Sequence, residues 1–307
     1  MGSEVDSFNN SLINLLNSNA RLPYTHIAHK LGITAHAAQQ TVQQLVNEGA
    51  VTLEVIPNFA KLGFRIETFM GLFIHPAKSE SAVEQLKVNP SIAYIAFTSG
   101  RYDVVLWGVF RSLDHLADFV ERDVAIVDGI QGSETMINLR VSKRAWVKYP
   151  DSVPVTRQVD TLEKRLIYIL RDDVRLSIST LALKLGISLP TIRSRLARLV
   201  NEGLIAFSAV PNPSKLGEQN AVHIGLKVRP DSLQEVQKQL KYESSIQYIA
   251  LTTGRYDIVI WAVFQNNSEL IHFRKCVLAS VAGIERSETL INHEIVKWTF
   301  KDIIASI

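Results

Sequence analysis

The sequence predicts an α+β protein in which one module is written twice, and three observations carry that prediction. Gly100, Arg101, Tyr102 and Asp103 recur as Gly254, Arg255, Tyr256 and Asp257, an offset of 254 − 100 = 154 residues. The same offset, with no insertion or deletion, lays Gly32 on Gly186, Glu48 and Gly49 on Glu202 and Gly203, Gly63 on Gly217, and Glu134 on Glu288. A period that long is the duplication of a whole domain set, because stacked repeats run at 20–50 residues. The second observation is that each copy opens on apolar residues at helical spacing, broken by a glycine turn. The third is that each copy then changes to β-type runs alternating with two short helices.

In the first copy Phe8, Leu12, Ile13, Leu15 and Leu16 share one helix face, the 3.6-residue period of an amphipathic helix. A short helix is expected over 24–31, and Gly32 after it suits a left-handed C′ position. Thr34 then supplies an N-cap for a third helix over 35–48. The second copy repeats this from about residue 161, with a short helix over 179–185, Gly186, the cap Ser188 and a helix over 189–202. Helix, short helix, glycine-containing turn and helix is the helix-turn-helix pattern. The stretches 50–56 and 204–210 partly alternate and read as β wings, closed by Pro57 and Pro211.

The rest of each module reads β-α-β-β-α-β, the ferredoxin-like order. Strands are expected over 68–75, 91–98, 104–110 and 134–141, with helices over 79–87 and 113–124, and the second copy follows suit to residue 295. Trp107 and Trp261 fall in strands and are expected to pack. The domains so predicted are a first winged head over 1–57, a sandwich over 58–146, a linker over 147–158 marked by Pro150 and Pro154, a second head over 159–211, and a sandwich over 212–307.

Composition narrows the function. Residues 1–154 carry 13 Lys and Arg against 15 Asp and Glu, and residues 155–307 carry 20 against 15. A polyanion partner is therefore expected on the second half. The lone cysteine, Cys276, excludes an intrachain disulfide and fits a reducing, cytoplasmic compartment. No run of about 18 apolar residues is present, so no membrane partner is expected. His26 and His29 stand i, i+3 on a helix without a third ligand in view, so no metal or other cofactor is predicted.

Two winged heads, each followed by a sandwich with Gly-Arg-Tyr-Asp in its central turn, resemble the Lrp/AsnC (feast/famine) family of transcriptional regulators. The head residues that carry the resemblance run from Asp173, Val174, Arg175, Leu176 and Ser177 through Leu181, Leu185 and Gly186 to Arg195, Leu199, Glu202 and Gly203. The resemblance implies a sequence-specific head for double-stranded DNA and a C-terminal domain for oligomerisation and amino-acid sensing.

The two recognition helices differ. In the second, Leu189, Ile192, Leu196 and Leu199 are expected inward. The opposite face, counted at 100° per residue, presents Pro190, Thr191, Ser194, Arg195 and Arg198, with Arg193 on the flank. Arginines bind phosphates and pair bidentately with guanine. Ser188, Thr191 and Ser194 allow close approach. The candidate DNA-binding residues are thus Ser188, Thr191, Arg193, Ser194, Arg195 and Arg198. The first recognition helix has Gln39, Thr41 and Gln44 where the second has arginine, and Ala38 for Ile192. It reads as a head kept for structure or as a weak half-site reader through Gln40 and Gln44.

Gly100 and Gly254 are expected at positive φ. The resemblance implies effector contacts at Ser99, Gly100, Arg101, Tyr102 and Asp103, and at Thr253, Gly254, Arg255, Tyr256 and Asp257. Asp would take an ammonium group, and Arg or backbone N–H a carboxylate. The competing reading is a structural turn closed by an Arg–Asp ion pair. The function expected is a metabolite-responsive DNA-binding regulator and not an enzyme. Two alternatives are a tetrapyrrole enzyme similar to the sirohaem decarboxylases, which share the architecture, and a metabolite sensor that does not bind DNA. In assembly, residues 64–141 are expected to pair face to face with 222–295 as an intrachain pseudo-dimer, and such chains to join into a larger homo-oligomer.

Overall fold

The computed structural model describes residues 2–150, 157–217 and 220–307, with side chains from Phe8 onward. Of the linker expected at 147–158, residues 151–156 lie outside the described residues. In chain order the first copy runs α1 (Gly2–Ser18), α2 (Tyr24–Leu31), α3 (Ala35–Asn47), β1 (Val51–Pro57), β2 (Ile66–Ile74), α4 (Ser79–Lys87), β3 (Ile92–Ser99), β4 (Val104–Phe110), α5 (Leu113–Phe119) and β5 (Ile130–Arg144). The second runs α6 (Thr161–Leu170), α7 (Ile178–Leu185), α8 (Leu189–Asn201), β6 (Ile205–Pro211), β7 (Asn220–Val228), α9 (Leu233–Lys241), β8 (Ile246–Thr252), β9 (Ile258–Phe264), α10 (Asn267–His272) and β10 (Ile284–Trp298). These segments gather by type and not by copy. One compact unit holds both heads (1–62, 146–216, 304–307) and the other holds both sandwiches (63–145, 217–303).

In the head unit, the caps read from the sequence are made. Thr34 accepts from the Ala37 amide and Ser188 from the Thr191 amide, while Gly32 and Gly186 sit at φ 69° and 68°. Leu12, Ile27, Val42 and Leu45 fill the first head, and Leu166, Leu181, Ile192 and Leu199 the second. The expected wings take a different form: β1 and β6 pair with each other as one antiparallel ribbon. Each strand alone would leave an open row of N–H and C=O groups, and its twin satisfies them. Glu54 faces Ser208 in the register, and 208 − 54 = 154, so the ribbon is centred on two equivalent residues. A local two-fold axis therefore relates the two heads. Arg21 and Arg175, also equivalent, obey it. Arg21 donates to the carbonyls of Val174 and Leu176, and Arg175 to those of Ala20 and Leu22.

In the sandwich unit, each copy forms a four-stranded antiparallel sheet, ordered β5-β2-β4-β3 and β10-β7-β9-β8. The two sheets are joined edge to edge, β5 to β8 and β10 to β3, which closes an eight-stranded barrel. The expectation of face-to-face pairing thus gains two ladders that leave no open edge. This also corrects the last strands, expected at eight residues (134–141). β5 and β10 are each 15 residues long, because one half pairs within its own sheet and the other half with the opposite copy. The helix expected over 113–124 ends as a wider turn after Phe119, where the Ala125 amide reaches back to the Val120 carbonyl.

Alternation along the strands divides the apolar residues between two faces. Met70, Leu72, Val104, Leu106 and Phe110 pack with their own helices, as do Ile224, Leu226, Ile258 and Ile260 in the second copy. The other faces carry Phe69, Tyr94, Trp107, His223, Tyr248 and Trp261, which meet across the copies. Trp261 lies 6.1 Å from Tyr94, and Trp107 lies 6.3 Å from Tyr248, between ring centroids. His223 is buried there, beside Asn292 Oδ1 at 3.0 Å, while Asn292 donates to the Tyr94 hydroxyl. Burial holds its pKa down at about 4 against an opposing contribution from Asn292.

Candidate functional site

The recognition helix of the second head, α8, shows three kinds of position. Ile192, Leu196 and Leu199 are buried, whereas Ser188, Leu189, Pro190, Thr191, Arg193 and Ser194 are exposed. Arg195 and Arg198 form the third kind, and their place corrects the helical-wheel reading. They turn onto α6. Arg195 pairs with Asp160, and Arg198 bonds Glu163 Oε1 through Nε at 3.0 Å. Arg157 adds a bond to Glu163 Oε2 at 2.7 Å and pairs with Glu202. Glu163 itself has no exposed side-chain surface.

The cause is local. Asp160 and Glu163 form the capping box of α6, which leaves two carboxylates at a helix N-terminus. One turn away from the open face, α8 brings two guanidiniums to them. Burial pushes the Glu163 carboxyl upward in pKa, but the bonds from Arg157 and Arg198 outweigh it and hold it below the usual range; for Asp160 the Glu163 backbone amide and then Arg195 outweigh burial and lower it. Arg193, placed on the flank by the wheel, is the arginine that remains on the exposed face, and among the described residues it has no ion-pair partner.

The first head lacks this arrangement. Asn9 stands for Glu163, Ser3 for Arg157, Thr41 for Arg195 and Gln44 for Arg198. Thr41 bonds back to the Ala37 carbonyl at 3.0 Å, and Gln44 bonds Glu48 at 2.8 Å. The face of α3 offers His36, Gln39, Gln40 and Gln43, all exposed. His26 and His29 are exposed as well. Among the described residues no three His, Cys, Asp or Glu side chains gather to hold a metal ion.

The two Gly-Arg-Tyr-Asp turns are built alike. Gly100 and Gly254 have φ of 119° and 88°. The expected Arg–Asp pair is not what closes them. Arg101 binds Glu134, and Tyr102 donates to the same carboxylate at 2.6 Å; Arg255 and Tyr256 treat Glu288 identically. Asp103 accepts instead from the Ile74 amide at 2.7 Å, and Asp257 from the Val228 amide at 2.9 Å. A backbone N–H that the strand leaves open thus claims each aspartate. Tyr102 and Tyr256 lie flat on Gly71 and Gly225, where an added Cβ would come within 2.3 and 2.4 Å of the ring. Burial is the main cause that raises both phenols, Tyr256 to about 12. Arg101 and Arg255, first in effect, hold Glu134 and Glu288 below the usual carboxylate range.

Each turn also reaches the other copy. The Thr253 amide donates to the Ile137 carbonyl at 2.9 Å, Ser99 is paired with Ile291, and Arg255 lies 3.9 Å from Glu134. Ser99, Gly100, Asp103, Thr253 and Gly254 are exposed, whereas both tyrosines are buried. The barrel brings the ten candidate residues into two equivalent clusters. Sequence reasoning missed Glu134 and Glu288 as members, although both sit in the repeated Ser-Glu-Thr marker. It also missed Lys227, which pairs with Asp257 at 3.1 Å, and Arg286, which pairs with Glu288 at 2.7 Å.

Residues 67–146 and 221–300, together more than half of the chain, match the Lrp/AsnC ligand binding domain, and residues 159–206 match a winged helix-turn-helix DNA-binding domain. An uncharacterized HTH-type transcriptional regulator of Pyrococcus furiosus is 32% identical over 145 residues, which are 47% of this chain and 97% of that protein. The HTH-type transcriptional regulator FL11 of the same organism is 33% identical over 134 residues, 43% of this chain and 88% of its own. Such relatives span one copy of the module. Among solved structures, the siroheme decarboxylase NirDL in complex with an iron-uroporphyrin III analogue aligns over 97% of both chains, with a TM-score of 0.67 and 15% identity, a likeness of fold alone.

Proposed function

The chain belongs to the Lrp/AsnC family of DNA-binding transcriptional regulators, and from that premise we propose that a single chain acts as a complete regulator dimer with unequal heads. The second head is the principal reader of double-stranded DNA, through Ser188, Thr191, Arg193 and Ser194. The observation that carries this is the exposed, uncommitted Arg193 on α8, opposite its neutral counterpart Gln39 on α3. Arg195 and Arg198 hold the helix on α6 and contribute positive potential to phosphates. Gln40 and Gln44 of the first head give at most a weak half-site. An amino acid or similar small metabolite binds at the turns around Gly100 and Gly254, and whole chains associate through those turns into a larger homo-oligomer.

Duplex binding measured against salt tests the reading. Arg193→Ala should lose about 1–3 kcal/mol of specific binding if it reads a base, and Gln39→Ala much less. Equal losses would end the proposed inequality of the heads. The fold shared with NirDL supports a second reading, tetrapyrrole chemistry on a fused pair. The family match and the HTH-type regulators among its relatives favour a regulator, so we read the chain as a non-enzyme. A visible absorption scan with added sirohaem checks that reading: a bound-haem spectrum that decays to a decarboxylated product would overturn it.

A further inference from the structure

The two effector turns share a frame but not a charge, and the difference points to the ligand. Around the second turn lie Lys227, Arg255 and Arg286 with Asp257 and Glu288 of the same copy, and Glu134 of the other copy 3.9 Å from Arg255. Around the first lie Arg101 with Asp103 and Glu134, because Phe73 stands where Lys227 would be and Gly132 where Arg286 would be. Phe73 fills that place physically, with its ring 5.3 Å from Tyr102 and the Arg101 guanidinium 5.7 Å from its centre. One copy therefore sets an apolar ring beside its turn. The other sets extra positive charge there.

The second site has room for a ligand. Gly225, Lys227, Arg255, Tyr256, Arg286 and Glu288 line a cavity of ≈ 130 Å³. A shallower depression of ≈ 440 Å³ adjoins it, shares Lys227 and Arg255, and is bordered by Glu134 of the other copy. The smaller space, bounded by Arg286 and Glu288, has room for a group of few atoms such as a carboxylate. Lys227 and Arg286 are 42% and 69% exposed. Each keeps N–H donors beyond those used on Asp257 and Glu288, since an ammonium has three and a guanidinium five. A planar guanidinium takes a carboxylate bidentately, and these free donors, which the first turn lacks, favour a ligand with a second carboxylate.

We infer that the turn at Gly254, and not its twin at Gly100, binds a small metabolite with two carboxylates, either an acidic amino acid or a simple dicarboxylate. The inference rests on the effector reading above and adds the chemical class of the ligand and its confinement to one copy. Lys227 and Arg286 take the second carboxylate and set specificity. In an amino acid, the acids Asp257 and Glu288 meet the ammonium.

Calorimetric titration of the full chain with L-aspartate, L-glutamate, succinate, L-asparagine and L-glutamine tests this. At least one diacid should bind at one site per chain, at least tenfold tighter than the matching amide. Arg286→Gln and Lys227→Gln should each erase that preference while circular dichroism and melting remain those of the parent. Arg286 is mostly exposed, so its variant reports on the ligand and not on folding. Amides that bind as tightly as the acids, or a preference that survives both variants, would overturn the inference while leaving an effector at the turns intact. Two equivalent sites per chain would overturn the confinement to the second copy. If none of the five ligands binds, the inference falls. A hit among neutral or basic amino acids, lost on Asp257→Ala, would then show that the effector reading outlives it.

Discussion

The two heads share their helices, their glycine turns and one ribbon, yet one carries an ionic network around a buried carboxylate and, among the described residues, the other carries none. In the second head Arg157, Arg195 and Arg198 converge on Asp160, Glu163 and Glu202. In the first, Glu163 has become Asn9 and all three arginines are gone. The buried acid and the arginines change together, while the partly exposed acids remain, with Asp6 and Glu48 at the places of Asp160 and Glu202. A buried carboxylate without its partner costs far more than the pair is worth, and so does the reverse. The replacement of Arg198 by Gln44 on α3 is thus explained first by the loss of the acid beneath it. On the reading proposed above, what separates the heads as DNA readers is narrower than the arginine count suggests, and its main charge difference is Arg193 against Gln39.

The largest break in this comparison comes from Glu163→Ala. It should cost about 1–3 kcal/mol, because the arginines it leaves are about one-third exposed and keep Glu202 and Asp160, while Asn9→Ala in the first head stays within about 0.5 kcal/mol. Denaturant unfolding with amide exchange in α1 and α6 measures both, and equal costs would mean that the network does not support the second head.

Acid should find the second copy before the first. His223 is held near pKa 4, below the ordinary 6.5, so the unfolded chain binds its proton first. Its contribution is complete above pH 6.5 and is lost as pH falls toward 4, by up to roughly 3 kcal/mol. Asp160 and Glu163 are lowered carboxylates. Their stabilisation is present above their unfolded pKa values near 4 and is lost as pH falls further, through the folded ones. The first copy has Phe69 and Asn9 at the places of His223 and Glu163. His223→Phe should therefore flatten stability between pH 6.5 and 4 and leave the steeper fall below 4 in place. An unchanged slope would remove His223 from the account.

The smallest contrast is one that should vanish. Gly71→Ala and Gly225→Ala each drive a methyl group into a tyrosine ring, and overpacking of this kind costs about 1–3 kcal/mol. The two thermal shifts should agree, because the turns are built alike. A clear difference would mean that Tyr102 and Tyr256 are not equivalently seated.

Much of this was legible in the residues. The 154-residue offset announced both copies, and glycine and hydroxyl caps placed α2, α3, α7 and α8, because such signals act within a few residues. What escaped depended on distant partners. A helical wheel of α8 cannot see Asp160, so it set Arg195 and Arg198 outward and Arg193 aside. The tails of β5 and β10 had no local reason to be strand, since their ladders run to residues more than a hundred positions away. The Arg–Asp pair was a fair guess from adjacency, but a strand amide competed for each aspartate. Arginine then turned to Glu134 and Glu288, 33 residues along the chain. The asymmetry of Lys227 and Arg286 was visible by overlaying the copies, though nothing in the sequence placed either beside the turn.

The ribbon centred on Glu54 and Ser208 has a consequence for how this protein behaves on dilution. When separate chains supply such a ribbon, the pair dissociates at low concentration and its melting temperature follows protein concentration by mass action. Here both strands belong to one polypeptide, so closure is a unimolecular event with a fixed effective concentration. The paired heads persist at any copy number, and neither half can be traded for that of another regulator with the same fold. Each half is then free to drift, one toward charge and the other toward glutamine, with no risk of assembling two weak halves or two strong ones.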